Sequence, residues 1–309
     1  LLSGDESQLL NEERRSTRSE REILAGRKGK SGRSAQDDKV KKGGVLTENR
    51  WRGEMSFESA AETQRFSAQH DSCLIPIPGD TMNVEIYPDA ASLAKRAAGV
   101  IAADARAAVA ARGRFVMAVS GGKSPWVMLA DLADEDVPWA NVHVFQIDER
   151  IAPAGDPDRN YVHLRDSLLQ HAPIPPEQIY AMHVEDPDSE AAAKKYAQTL
   201  ESVAGKPPVL DLAHLGLGPD GHTASLIPGD PVLKVTDRDI AVTGVYQGRR
   251  RMTMTYPVIN RARKIMWLVS GKDKVNALGK LRAADASIPG GRISQTQALL
   301  LADKDAAGE

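Results

Sequence analysis

From Asn83 onward the chain alternates short, largely apolar runs with stretches of helical periodicity, and this alternation limits the available folds more than any other feature. Phe115–Val119, Val142–Ile147, Leu210–Leu217 and Ile265–Val269 are strand-length and lack the strict apolar–polar alternation of a strand wetted on one face. Asn83–Tyr87, Ile240–Val245 and Leu299–Leu301 read as further strands. Between them, Asp89–Arg112 places Leu93, Ala97, Val100 and Ile101 at helical spacing. Pro125–Leu132, Tyr161–His171, Asp188–Val203 and Lys272–Ala284 also read as helices. Strands apolar on both sides need cover on both faces, so the pattern predicts an α/β fold with a mainly parallel sheet between helices. In such sheets ligands bind outside the carboxyl ends of the strands, which directs attention to the residues that follow each run.

Residues 1–81 have a different character. They are rich in charged residues, Ser, Gly and Gln and show no sustained apolar period. Such a segment buries too little apolar surface to offset its ordering entropy. The expectation is a disordered extension over 1–81 and one folded domain over 82–309. The acidic residues of the extension argue against a transit peptide, and Leu1-Leu2-Ser3-Gly4 lacks the features of a secretory signal. The one cysteine, Cys73, excludes a disulfide scaffold and suits a reducing compartment, so a cytoplasmic location is expected. With 40 basic and 42 acidic residues the chain has no general attraction to nucleic acid, and no apolar run is long enough to cross a bilayer.

Three clusters stand at strand ends. Ser120-Gly121-Gly122-Lys123-Ser124-Pro125 combines a sharp turn with a helix start, where exposed N–H groups and two hydroxyls suit a phosphate. Met117 stands where a Walker A loop needs Gly, which disfavours ATP or GTP; alone, a ligand-free βα turn explains the cluster equally well. Asp148-Glu149-Arg150 puts three charges directly after an apolar run, where burial is costly unless they are paired or used. Arg150 can hold a phosphate and the acids can hold hydroxyls or position Arg150, against the alternative of a salt-bridged loop. Gly216-Leu217-Gly218-Pro219-Asp220-Gly221-His222-Thr223-Ala224-Ser225 sets one histidine two residues after an acid among three glycines. Such a histidine is a candidate general base with Asp220 as its orienting partner, against the alternative of a hydrogen-bonded structural histidine. A fourth segment, Arg249-Arg250-Arg251-Met252-Thr253-Met254-Thr255, reads as a strand carrying a cation toward a ligand, with Arg249 as a solvated turn residue. No G-x-S-x-G elbow, H-E-x-x-H pair or other metal-ligand spacing occurs, so neither a metal nor an organic cofactor is expected.

These motifs, with Asn160-Tyr161, Leu226 and Pro257, resemble in order the motif series of the 6-phosphogluconolactonases, from about Met82 to the C-terminus. The related glucosamine-6-phosphate deaminases share Asp-Gly-His but usually continue Ile-Ala-Phe-Asn-Glu; here Thr223-Ala224-Ser225-Leu226 follows. Arg159 departs from the serine that is common in the family before Asn-Tyr. The resemblance implies a three-layer α/β/α sandwich with a Rossmann-like sheet. It also implies hydrolysis of 6-phospho-D-glucono-1,5-lactone to 6-phosphogluconate in the oxidative pentose phosphate pathway, with a phosphorylated sugar lactone as the partner molecule. On that reading His222 activates a water and Asp220 orients His222. The phosphate sits in the loop of Ser120, Gly121, Gly122, Lys123 and Ser124 with Arg150 and Arg251. Asp148, Glu149, Asn160, Gly218, Thr223 and Ser225 complete the expected substrate contacts. The alternatives are a sugar-phosphate deaminase or isomerase on the same fold and a non-catalytic sugar-phosphate sensor. A monomer or weak homodimer is expected.

Overall fold

The computed structural model describes residues 82–309, and the expected extension over 1–81 lies outside the described residues. The chain enters as strand β1 (Asn83–Tyr87) and helix α1 (Ala90–Arg112). Asp89 caps that helix by accepting the Ser92 N–H at 2.8 Å, and Gly113, at φ 74°, ends it in the left-handed conformation that glycine tolerates. There follow β2 (Phe115–Val119), α2 (Lys123–Ala133), β3 (Val142–Gln146) and β4 (Asp148–Arg150). Helix α3 (Asn160–Leu164) runs on into a π-helical turn, and then come β5 (Ile179–Tyr180), α4 (Ser189–Ala204) and β6 (Leu212–Leu215). The remaining elements are β7 (Ile240–Val242), β8 (Arg251–Met254), α5 (Tyr256–Asn260), β9 (Ile265–Val269), α6 (Val275–Arg282), β10 (Ala298–Asp303) and α7 (Lys304–Ala307).

Seven strands form one parallel sheet in the order β1-β10-β9-β6-β2-β3-β5. Successive residues of its strands serve two cores. In β2, Phe115, Met117 and Val119 pack into one and Val116 and Ala118 into the other; in β9, Met266 and Leu268 oppose Ile265, Trp267 and Val269. Helices α1 and α2 cover the first core, and α4, α6 and α7 the second. This double cover is why the runs are apolar throughout, and it makes the molecule the expected α/β/α sandwich. The chain leaves β2 for β3 on one side and later adds β6 on the other, so the crevice for a ligand opens between the ends of β2 and β6. Among the described residues no helix is long and apolar enough to cross a membrane.

The structure departs from the sequence expectation in one important way. Asp148-Glu149-Arg150 is a strand rather than a loop, and it joins β8 and β7 in a second, antiparallel sheet ordered β4-β8-β7. Ile147 is the joint between the sheets. Its N–H donates to Val119 O at 3.0 Å, and its carbonyl accepts the Met254 N–H at 2.8 Å. The run at 210–217 is also longer than the strand it yields. Asp211 is drawn out of the strand pattern by accepting the Val116 N–H at 2.9 Å and pairing with Arg112 at 2.7 Å.

Candidate active site

A cavity of about 560 Å³ opens at the switch point between β2 and β6. Its walls bring together the sequence-predicted Ser120, Gly121, Gly122, Lys123, Ser124, Asp148, Arg150, Asn160, Gly218, His222, Thr223 and Arg251. Segments far apart in the chain thus meet at one place, because each follows a strand of the same sheet or belongs to the small sheet hung from its end.

The β2 end supplies an anion cradle. Ser120 is pinned to the neighbouring strand: its N–H donates to His214 Nδ1 at 3.3 Å and its hydroxyl to His214 O at 2.9 Å. His214 is fully buried, and burial lowers its pKa to about 4, so its ring stays neutral. Helix α2 begins immediately afterwards with no side-chain cap, and its first residues line the cavity. Its leading N–H groups are therefore free to bind a negative charge. Gly121 is required here by crowding, since a Cβ would lie 1.9 Å from Asn160 Oδ1.

The loop after β6 carries the candidate base. His222 Nδ1 lies 2.5 Å from Asp220 Oδ1, and the His222 backbone N–H donates to the same oxygen at 3.1 Å. A carboxylate can only accept, so Nδ1 bears the proton and Nε2 is left to take one. Partial burial pushes the Asp220 pKa up, but hydrogen bonds and charge from His222, with the Tyr246 hydroxyl, outweigh it and hold the carboxyl below its usual range. The ring is packed onto the loop itself: a Cβ on Gly218 would lie 2.2 Å from Cε1 and Nδ1. The Gly218 N–H donates to His222 O at 2.8 Å and the Thr223 hydroxyl to Gly216 O at 2.8 Å, which closes the turn.

The small sheet contributes the cations and their supports. Arg150 and Arg251 are paired across β4 and β8 and both line the cavity. Burial lowers the Arg251 pKa; the Asp148 charge opposes the shift and the Arg150 charge adds to it. Each has a buried Nε without a hydrogen-bond partner, so this corner favours an incoming anion. Asp148 ties three elements together, accepting the Ser225 hydroxyl at 2.6 Å and Asn160 Nδ2 at 3.3 Å. Asn160 Oδ1 is buried, beside the cavity and without a partner.

Two expected contact residues do not reach the cavity. Glu149 is fully buried and accepts the N–H groups of Arg150, Asn160 and Tyr161 at 2.7–2.8 Å and Gln146 Nε2 at 2.9 Å, and it forms an ion pair with Arg159 at 3.3 Å. Every acceptor direction of its carboxylate is spent on the protein. Ser225 is likewise buried, between Asp148 and Thr253. Both hold cavity residues in place. Arg159, the departure from the family pattern, is 3% exposed and paired with Glu149 and Glu185. Arg249, expected to be a solvated turn residue, pairs with Asp156 at 3.0 Å and Asp158 at 3.2 Å.

Sequence reasoning missed the wall made by Leu268 in β9 and by Ser270, Asp273 and Lys274 after it. The signal was present: Ser270-Gly271-Lys272-Asp273-Lys274 is a polar, glycine-containing cluster after an apolar run, like the other three. It also missed Tyr246, whose hydroxyl donates to Asp220 Oδ2 at 3.2 Å; no local pattern marks that residue.

Comparison with known proteins identifies a family. The profile of glucosamine-6-phosphate isomerases/6-phosphogluconolactonase matches residues 88–301. The chain is 38% identical over 231 residues to a 6-phosphogluconolactonase of Nostoc sp., covering 72% of this chain and 95% of that protein. It is 38% identical over 245 residues to the 6-phosphogluconolactonase of Mycobacterium tuberculosis, covering 74% and 98%. Among solved structures it is similar to the 6-phosphogluconolactonase from Trypanosoma brucei, with a TM-score of 0.67, 25% identity and coverage of 74% of this chain and 99% of that one.

Proposed function

The chain belongs to the family of glucosamine-6-phosphate isomerases and 6-phosphogluconolactonases, and we propose that it hydrolyses 6-phospho-D-glucono-1,5-lactone to 6-phosphogluconate with a water activated by His222. The observation that carries this reading is the placing of the His222–Asp220 pair and of Arg150 and Arg251, each with an Nε left without a partner, on one cavity. A base without an anion site would suit many hydrolases. The two together suit a small substrate that holds a phosphate at one end and a carbonyl at the other.

The phosphate seats on the open N–H groups of α2 and the hydroxyl of Ser124, in the loop that Ser120 pins to His214, with Lys123, Arg150, Arg251 and Lys274 supplying charge. Binding energy from this remote group orients the lactone ring. Asn160 Oδ1 accepts from a sugar hydroxyl. His222 Nε2 takes a proton from water as the water oxygen attacks the ring carbonyl carbon. Backbone N–H groups of the glycine-rich turns stabilise the oxyanion so formed. When the intermediate collapses, the bond to the ring oxygen breaks and that oxygen receives the proton from Nε2. The new carboxyl group then ionises to solvent. Asp220 stays ionised throughout and keeps the imidazole in the productive tautomer and orientation. A single cysteine in the chain fits work in a reducing compartment such as the cytoplasm.

The test is turnover of freshly generated lactone, with spontaneous hydrolysis subtracted. His222→Ala is expected to lower kcat by about 10²–10⁴ while circular dichroism stays unchanged. Wild-type activity in the folded variant removes His222 from the mechanism.

A further inference from the structure

We propose that Tyr246 is a positioning residue of this reaction: its hydroxyl fixes the Asp220 carboxylate that aims His222, and its ring joins that pair to the cationic corner. The inference rests on the lactonase reading above and deepens it. Tyr246 sits at the tip of the β7–β8 hairpin. Its N–H donates to Arg249 O at 2.9 Å and its carbonyl accepts the Arg249 N–H at 3.2 Å, around a two-residue turn with Gln247 at φ 50° and Gly248 at φ 78°. That is the primed turn that a twisted hairpin prefers. The ion pairs of Arg249 with Asp156 and Asp158 hold the tip against the segment that follows β4. The backbone under Tyr246 is therefore set by two independent constraints.

Its side chain makes three contacts with the catalytic machinery. The hydroxyl donates to Asp220 Oδ2, the ring stands edge-on to His222 with centroids 5.7 Å apart, and Arg251 Cζ lies 5.0 Å from the ring centroid. Asp220 is 38% exposed on a glycine-rich loop, and only its Oδ1 faces His222. A carboxylate held at one oxygen can rotate; held at both, it presents a fixed plane to Nδ1–H. The hydroxyl also withdraws charge from the carboxylate, which keeps the shared proton on the imidazole. The Arg251 guanidinium packs on the ring that carries this hydroxyl, so the anion site and the base share one aromatic side chain. The other charged groups around the cavity are Asp148 and Arg150 from β4, Lys123 from the start of α2, and Asp273 and Lys274 after β9. None of these has a hydrogen bond to Asp220 among the described contacts.

Tyr246→Phe removes the hydroxyl and keeps the ring, whereas Tyr246→Leu removes both. The full chain, both variants and His222→Ala are assayed on freshly generated 6-phosphogluconolactone across pH. At 3.2 Å the hydrogen bond is long for a hydroxyl donor, so a moderate effect is expected. Tyr246→Phe should lower kcat about three- to tenfold with KM within about twofold. The acid limb of its kcat/KM profile should move up by about half a pH unit, because a carboxylate that loses a donor holds the imidazolium proton more tightly. Tyr246→Leu should add about a three- to tenfold rise in KM through Arg251. A Phe variant with wild-type kcat, or one whose kcat falls while the acid limb stays in place, overturns the proposal. A fully active His222→Ala removes the base through which Tyr246 would act and overturns the proposal too, whereas an inactive wild-type chain brings down the lactonase reading instead.

Discussion

The two sheets are built by opposite rules. The seven-stranded sheet buries almost only apolar residues, with Phe115, Met117, Phe145 and Trp267 all at 1% exposure or less. The three-stranded sheet buries Asp148, Glu149, Arg251 and Thr253 to 5% exposure or less. The first is held by area removed from water, which asks only for apolar residues of suitable size. The second also buries Ile240, Ala241, Met252 and Met254, but its carboxylates and hydroxyls are held by hydrogen bonds, and a carboxylate stripped of its donors there carries a desolvation penalty. The large sheet can therefore tolerate exchange of its residues and sets only where strand ends lie. The small sheet tolerates little exchange and sets where Arg150, Asn160 and Arg251 point.

Replacements in the two sheets test this contrast most strongly. Trp267→Ala and Glu149→Ala should each cost about 3–5 kcal/mol in urea unfolding, the first as a cavity and the second as orphaned N–H groups beside Arg159. Their activities should part: the folded fraction of Trp267→Ala keeps its kcat/KM, and that of Glu149→Ala loses it because Asn160 and Arg150 shift. Equal kcat/KM in the two would break the distinction. A smaller effect is expected at the loop between the sheets. Gly218→Ala places a methyl group against the His222 ring, and a displaced ring should lower kcat by about 10²-fold with little change in Tm. Unchanged kcat would show that the ring has room to move.

The smallest effect concerns the one buried histidine of the large sheet. His214 has its pKa lowered to about 4 in the folded protein, against about 6.5 in the unfolded chain. As pH falls below 6.5 the unfolded state takes up a proton that the folded state refuses, so stability drops until the folded pKa is reached. The loss should be about 2 kcal/mol between pH 7 and pH 5. His214→Asn should flatten that slope, and an unaltered slope in the variant would assign the acid sensitivity elsewhere.

The sequence was most legible where burial is simplest. Phe115–Val119 and Ile265–Val269 were expected as strands to the residue, since residues facing two dry cores must all be apolar. The cavity residues at the ends of β2 and β6 were also within reach, because glycine, a lone histidine and its acid stand together in the chain. Asp148-Glu149-Arg150 was legible as a cluster and not as a division of labour. One local pattern yields a strut in Glu149, a tie in Asp148 and a ligand-facing cation in Arg150, and the difference comes only from the pairing of β4 with β8. Tyr246 lies beyond any local reading, since its contact with Asp220 spans 26 residues and depends on how a hairpin folds back.

Periodicity and composition along the chain thus determined the parallel sheet, its two covered faces and the strand ends that carry chemistry. Tertiary structure alone decided which charged groups face the cavity and which brace it. Apolar burial is additive along a strand and so leaves its mark in the local sequence. The orientation of a buried charge depends on partners from other segments, and those partners come together only in the folded chain.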